Sequence, residues 1–228
     1  MTRIVYACDI GSTLNGRFGW ARVPLSGAAT PAGSHNIDLL LQGLIADFQS
    51  GESVALGFEA PLFMPVPDYS INLSKGRDNE GNRSMFAPAG AYVTALACHQ
   101  AAFLLRYLSS FASSVKLTFD SQVWLNSPAS MLLFWEAFVS GPAHAENNDH
   151  IRDAATAAVY FREHHQNLIE KSAVGCEAPL SLIGAAALWA GWVEDVTWLR
   201  KLCLVLRPEQ SYGGEIRSGI FEPSASVR

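Results

Sequence analysis

Three carboxylates stand where an isolated charge is poorly tolerated. Asp9 ends the apolar run Ile4-Val5-Tyr6-Ala7-Cys8 and opens the phrase Asp-Ile-Gly-Ser-Thr. Glu59 ends Val54-Ala55-Leu56-Gly57-Phe58 and precedes Ala60-Pro61, and Asp153 lies in the Ala-rich phrase His-Ile-Arg-Asp-Ala-Ala-Thr-Ala-Ala. An ionised carboxylate in apolar surroundings is costly unless it is paired or holds a cation. Two strand-end acids and one helix acid therefore predict a shared divalent-metal site. Plainer roles compete: Asp9 as a turn residue accepting backbone N–H groups before Gly11, and Asp153 as a solvated acid near a helix start. Beside Asp153, both His150 (three positions away) and Asp149 (four) share its helical face. Asp149 offers the harder oxygen donor that Mg2+ prefers, and His150 the three-residue spacing. Both stand as candidate ligands.

The elements that must position these acids are read from periodicity. Residues 3–9 predict a buried strand and 18–23 a second, joined by the Gly- and Asn-containing turn 11–16 into a hairpin. A third short strand falls within 27–35, and apolar residues at 37, 40, 41, 44, 45 and 48 predict a helix. Residues 54–58 form the next strand. The Pro-, Asn-, Gly- and Arg-containing stretch from 62 to 87 is too long for an ordinary connection, and such loops are usually functional. An Ala-rich helix follows over 89–108, with Pro88 at its first turn. Then come a strand at 115–119, a helix over 128–139, a loop over 141–148 and a helix from about 149 to 165. A buried helix at 180–193, a strand at 202–206 and a loose polar tail after Pro208 complete the chain. A meander followed by alternating helices and strands predicts an α/β fold: a mixed sheet of about five strands, flanked by helices, with the second strand antiparallel.

At 228 residues the chain suits a single domain, with a core over about 3–165 and a C-terminal extension over about 166–228. The net charge of −5 argues against a broadly basic nucleic-acid surface, but leaves room for a few basic residues beside a metal. The cysteines Cys8, Cys98, Cys176 and Cys203 form no CxxC pair and lie in apolar contexts, as reduced core residues of a cytoplasmic protein do. No secretory signal is visible, and the apolar stretch 180–193 is short of the roughly 20 residues a membrane span needs. No membrane association is expected.

The strand order and acidic phrases together resemble the RNase H-like superfamily, in particular the RuvC-like nucleases and a group of uncharacterised bacterial predicted nucleases of the DUF 429 type. The phrase Asp9-Ile-Gly-Ser-Thr with Gly19-Trp20 is similar to the first-hairpin signature of the RuvC group. Gly57-Phe58-Glu59-Ala60-Pro61-Leu62 looks like its strand-four acid, and the phrase from His150 to Ala158 like its final-helix signature. The resemblance implies a two-metal nuclease using Mg2+ or Mn2+ on DNA or RNA. Asp9, Glu59 and Asp153 would then be catalytic, with Asp149 or His150 as a further ligand, and Ser12 would contact substrate. Two ions can activate water on one side of a phosphodiester and stabilise the leaving oxygen on the other. The long loop 62–87 and the extra C-terminal helices depart from a minimal core.

Arg77 and Arg83, with Lys75, follow Glu59 in that loop. A guanidinium there can grip a phosphate by a bidentate contact, the alternative being a solvated loop with charges mixed among Asp78 and Glu80. The tryptophans lie among Leu, Phe, Ala and Val and read as core. Glu136, an acid on the apolar helix over 128–139, reads as the exposed stripe of that helix in preference to a partner that supports the metal ligands, and the apolar C-terminal region as a possible homodimer surface. Two rival functions remain. One is an actin-like or sugar-kinase-type phosphotransferase, for which a second Asp-x-Gly turn is missing. The other is a non-catalytic RNase H-like binding scaffold, which metal titration separates from the nuclease.

Overall fold

The computed structural model describes residues 2–81, 85–112 and 114–219. Its first elements are β1 (Arg3–Asp9), β2 (Gly19–Pro24), β3 (Ala32–Ser34), α1 (Ile37–Gln49) and β4 (Ser53–Glu59). They continue with β5 (Phe63–Pro65), α2 (Pro88–Leu108), β6 (Lys116–Thr118), α3 (Ser121–Asn126) and β7 (Met131–Ala137). Last come α4 (His150–Glu163), β8 (Pro179–Ser181), α5 (Leu182–Trp189), β9 (Leu204–Leu206) and β10 (Arg217–Ser218). Among the described residues eight strands form one sheet, in the order β10-β3-β2-β1-β4-β7-β6, with β9 also on β7. Strand β2 runs antiparallel to β1 and β3, and the other pairings are parallel. The expected mixed α/β sheet is therefore present, and it is wider than five strands.

Strands β1, β4 and β7 are buried almost throughout, because helices cover both faces of the sheet. Alternation divides their side chains. Ile4, Tyr6, Cys8, Leu56, Phe58 and Phe134 face a core shared with α1, α2 and α5. Val5, Ala7, Ala55, Leu133 and Trp135 face a second core that contains Ala157, Ala158 and Phe161 of α4. Asp9 and Glu59, in register with each other, continue the second set and so point to the α4 side of the sheet.

Several expectations are corrected. The segment over 128–139 is not a helix: Met131–Ala137 is the strand β7, hydrogen-bonded between β4 on one side and β6 and β9 on the other. A strand buried on both faces is an unbroken apolar run with no period of its own, so hydrophobic spacing does not separate it from a buried helix. The helix of this region is α3, which begins seven residues before the expected one and is capped by the Asp120 side chain. Glu136 consequently lies in the interior at 1% exposure, not on an exposed stripe. The loop after Glu59 is held at Phe63–Pro65, which pairs with Pro179–Ser181. Among its described residues the C-terminal extension holds an α-helix of eight residues and a short 3-10 helix at Val196–Arg200. It also supplies β9 to the sheet and β10 to the far edge beside β3, where a loose tail was expected. Among the described residues no helix is long and apolar enough to cross a membrane.

Gly57 sits beneath the Trp135 indole of the neighbouring strand, and a Cβ there would lie 2.5 Å from a ring carbon. Overpacking of this kind typically costs about 1–3 kcal/mol. Gly57→Ala is expected to lower the free energy of unfolding by that amount, measured as a fall in the urea midpoint at unchanged slope.

A candidate metal centre at the ends of β1 and β4

Asp9 and Glu59 are the last residues of two adjacent parallel strands, paired across the ladder. They therefore open onto the carboxyl edge of the sheet, where open α/β sheets bind ligands. Helix α4 brings the third acid. Its N-cap is Asp149, whose carboxylate accepts from the Arg152 amide at 3.0 Å. Half of its buried residues are alanine, which lets the helix lie close against the strands. Gly19 on β2 completes the approach, since a Cβ there would collide with the His150 backbone, and one at Gly33 with the Ile151 side chain. As a result one carboxylate oxygen from each of Asp9, Glu59 and Asp153 lies within 4.8 Å of the other two.

Asp153 is completely buried. One of its oxygens accepts the Ala145 amide at 2.6 Å and the other pairs with the His144 ring. Asp9 pairs with His150 Nδ1 at 2.5 Å. Burial raises the Asp9 carboxyl to about 6; the His150 hydrogen bond and charge work against that rise, and the nearby Asp153 adds to it. Burial likewise pushes Asp153 up, opposed by the Ala145 amide and by His144. Their partners are imidazoles at the rim of the site, with side-chain exposures of 43% for His144 and 21% for His150.

The donor set fits a divalent ion. Hard cations take oxygen donors at about 2.0–2.6 Å, so an ion shared by opposed oxygens spans about 4–5 Å between them, which matches the cluster. Crowded, desolvated carboxylates also gain most from a cation placed among them. Asp9, Glu59 and Asp153 are thus brought together as expected. Of the two further candidates, Asp149 is occupied as the α4 cap and as an ion-pair partner of Arg152 at 3.3 Å. His150 touches the cluster directly. Ser12 is half-buried in the turn after β1, where its carbonyl accepts from the Arg17 amide at 3.0 Å.

Two other expectations end differently. Arg77 does not face solvent or a substrate: its side chain is 1% exposed and is engaged by Glu80 and Glu136. Arg83 lies outside the described residues. Sequence reasoning also missed two contributors. His144, in a segment read only as loop, closes over Asp153. Gln100 of α2 donates to the Gly11 carbonyl at 2.8 Å and so holds the turn that follows Asp9. A glutamine in an Ala-rich helix was the available signal for the second.

A carboxyl whose pKa rises on folding favours the folded state least when ionised. Its contribution is neutral below the unfolded value near 3.8, grows more destabilising as pH climbs from there, and is fully destabilising above about 6. Asp9→Asn is therefore expected to stabilise the metal-free protein at pH 7–8 by roughly 1–3 kcal/mol, with the gain vanishing below pH 4. Urea unfolding in EDTA across that pH range measures it.

Comparison with protein-family models, with curated proteins and with solved structures finds no match to this chain.

Proposed function

We propose that this protein is a divalent-metal-dependent nuclease that hydrolyses phosphodiester bonds in DNA or RNA, built on an RNase H-like sheet. The observation that carries the reading is the convergence of Asp9, Glu59 and Asp153 on one point at the carboxyl edge of β1 and β4. The sheet supports it: β2 alone is reversed, as in the mixed sheet expected from the sequence, and β1 and β4, which carry two of the acids, are neighbours.

Asp9, Glu59 and Asp153 would hold Mg2+ or Mn2+. When bound, such ions lower the pKa of an attacking water and neutralise charge on the leaving oxygen. The chain supplies the rest. β1 and β4, locked in register, fix the spacing of two carboxylates, and α4 fixes the third by close packing. His150 and His144 orient Asp9 and Asp153 from the solvent side. The turn after β1, tied down by Gln100, presents Ser12 at the same edge for contact with substrate. Arg77 is not assigned to phosphate, because its guanidinium is already saturated with carboxylates.

Asp9→Asn keeps the size and the turn-capping ability of the side chain but removes the charge that would hold a cation. Wild-type protein is expected to cleave at least one member of a panel of single-stranded, duplex and branched DNA and RNA when given Mg2+ or Mn2+, and EDTA or Asp9→Asn to abolish cleavage. Mn2+ should also raise the wild-type melting temperature and leave that of Asp9→Asn unchanged. Cleavage surviving both EDTA and the substitution refutes the mechanism. Metal binding without cleavage of any substrate points instead to a binding scaffold.

A further inference from the structure

Behind the acidic cluster, on the opposite face of the sheet, lies a second group of charges that the proposed chemistry does not use. Glu136 pairs in register with Phe58, the residue before Glu59, and is buried among apolar side chains. Arg77 meets it with two parallel contacts of 2.7 Å, the fork geometry that gives an ion pair direction as well as attraction. The same guanidinium reaches Glu80 at 3.0 and 3.2 Å and lies over the Phe63 ring. Glu136 has one more partner. Its carboxylate accepts the Leu62 amide at 3.0 Å, only three residues beyond Glu59.

Three buried charges are a poor device for stability alone. Removing them from water is expensive, and well-packed apolar residues of similar volume commonly serve as well or better. What the network provides is direction. It fixes Leu62 and, through Arg77, the loop segment around residue 77 to a strand of the sheet. Leu62 is bonded on its other side too, its carbonyl accepting the Leu182 amide at 2.9 Å. The chain leaving Glu59 is therefore anchored three residues downstream through both the amide and the carbonyl of Leu62.

We propose that Arg77 and Glu136, with Glu80, are positioning residues for Glu59: a buried clamp that sets the backbone after β4 and so aims the Glu59 carboxylate at the metal. This rests on the metal-centre reading above. The Arg77–Glu136 pair acts on Glu59 through the backbone at Leu62; the loss of outer hydrogen-bond partners of metal ligands, which typically weakens metal binding about 10–100-fold, sets the scale of the effect.

The test is Mn2+ titration of the full chain, following free Mn2+ by electron paramagnetic resonance, with urea unfolding measured in parallel. The main variant is the triple Arg77→Met, Glu80→Met, Glu136→Leu, which leaves no buried charge unpaired. Should it not fold, Arg77→Lys, which keeps the charges but breaks the fork, takes its place. The folded variant is expected to bind Mn2+ at least about tenfold more weakly than wild type, even where its unfolding midpoint equals that of wild type, a separation that a purely structural role would not produce. Affinity within about twofold of wild type in a folded variant overturns the clamp and leaves the metal centre standing. Failure of both variants to fold makes the network structural and overturns it as well. If wild type and Asp9→Asn are alike in binding no Mn2+, the metal centre itself falls, and the clamp with it.

Discussion

The candidate site depends on a steric constraint: the first turn of α4 rests directly on the backbone of β2. Nothing larger than hydrogen fits at Gly19 beneath His150, and half of the buried residues of the helix are alanine. Because backbones in contact leave little room for sliding, the third acid of the cluster is located by the packing of a helix on a hairpin. The other two are located by a hydrogen-bond ladder. Site geometry is thus inherited from the stiffest parts of the fold, which is where precisely held constellations are best built.

That rigidity has an electrostatic cost. The fold holds two carboxylates above their ordinary pKa range and compensates them with imidazoles instead of guanidinium groups. Elsewhere it spends arginines freely on buried acids. Arg22 grips Asp47 and the Tyr6 hydroxyl between β1, β2 and α1, and Arg77 grips Glu136 and Glu80. Those acids are neutralised by permanently charged partners. The acids at the carboxyl edge keep weaker, removable ones, which leaves them able to exchange a proton or an imidazole for a metal ion.

Much of this was legible from residue order. The acids at 9 and 59 could be placed at strand ends because the runs before them are apolar and short, and Asp153 because its neighbours repeat at helical spacing. The strand β7 was not legible, since a core strand buried on both faces carries no alternation to read, and with it went Glu136, whose environment depends wholly on the element beneath it. Arg77 was misread for a related reason. A cation between Gly76 and Asp78 looks solvated, and only tertiary structure brings Glu136 to it, 59 residues away. His144 carries no local signal at all: its partner is fixed by the turn over 140–149, which no periodicity describes.

The arrangement around β7 has a consequence for how the chain assembles. One edge of this strand is shared, its first half with β6 and its second half with β9. Residues 135–137 must therefore wait for residues 204–206 before that edge is complete. During synthesis, α4 and the acidic cluster can form while this apolar half-edge is still bare, and unpaired edges of that kind are templates for pairing with other chains. Non-local pairing of this separation is also slow to close. Leu204–Leu206 thus seals the second half of this edge late in synthesis, ahead only of β10 at the far side of the sheet.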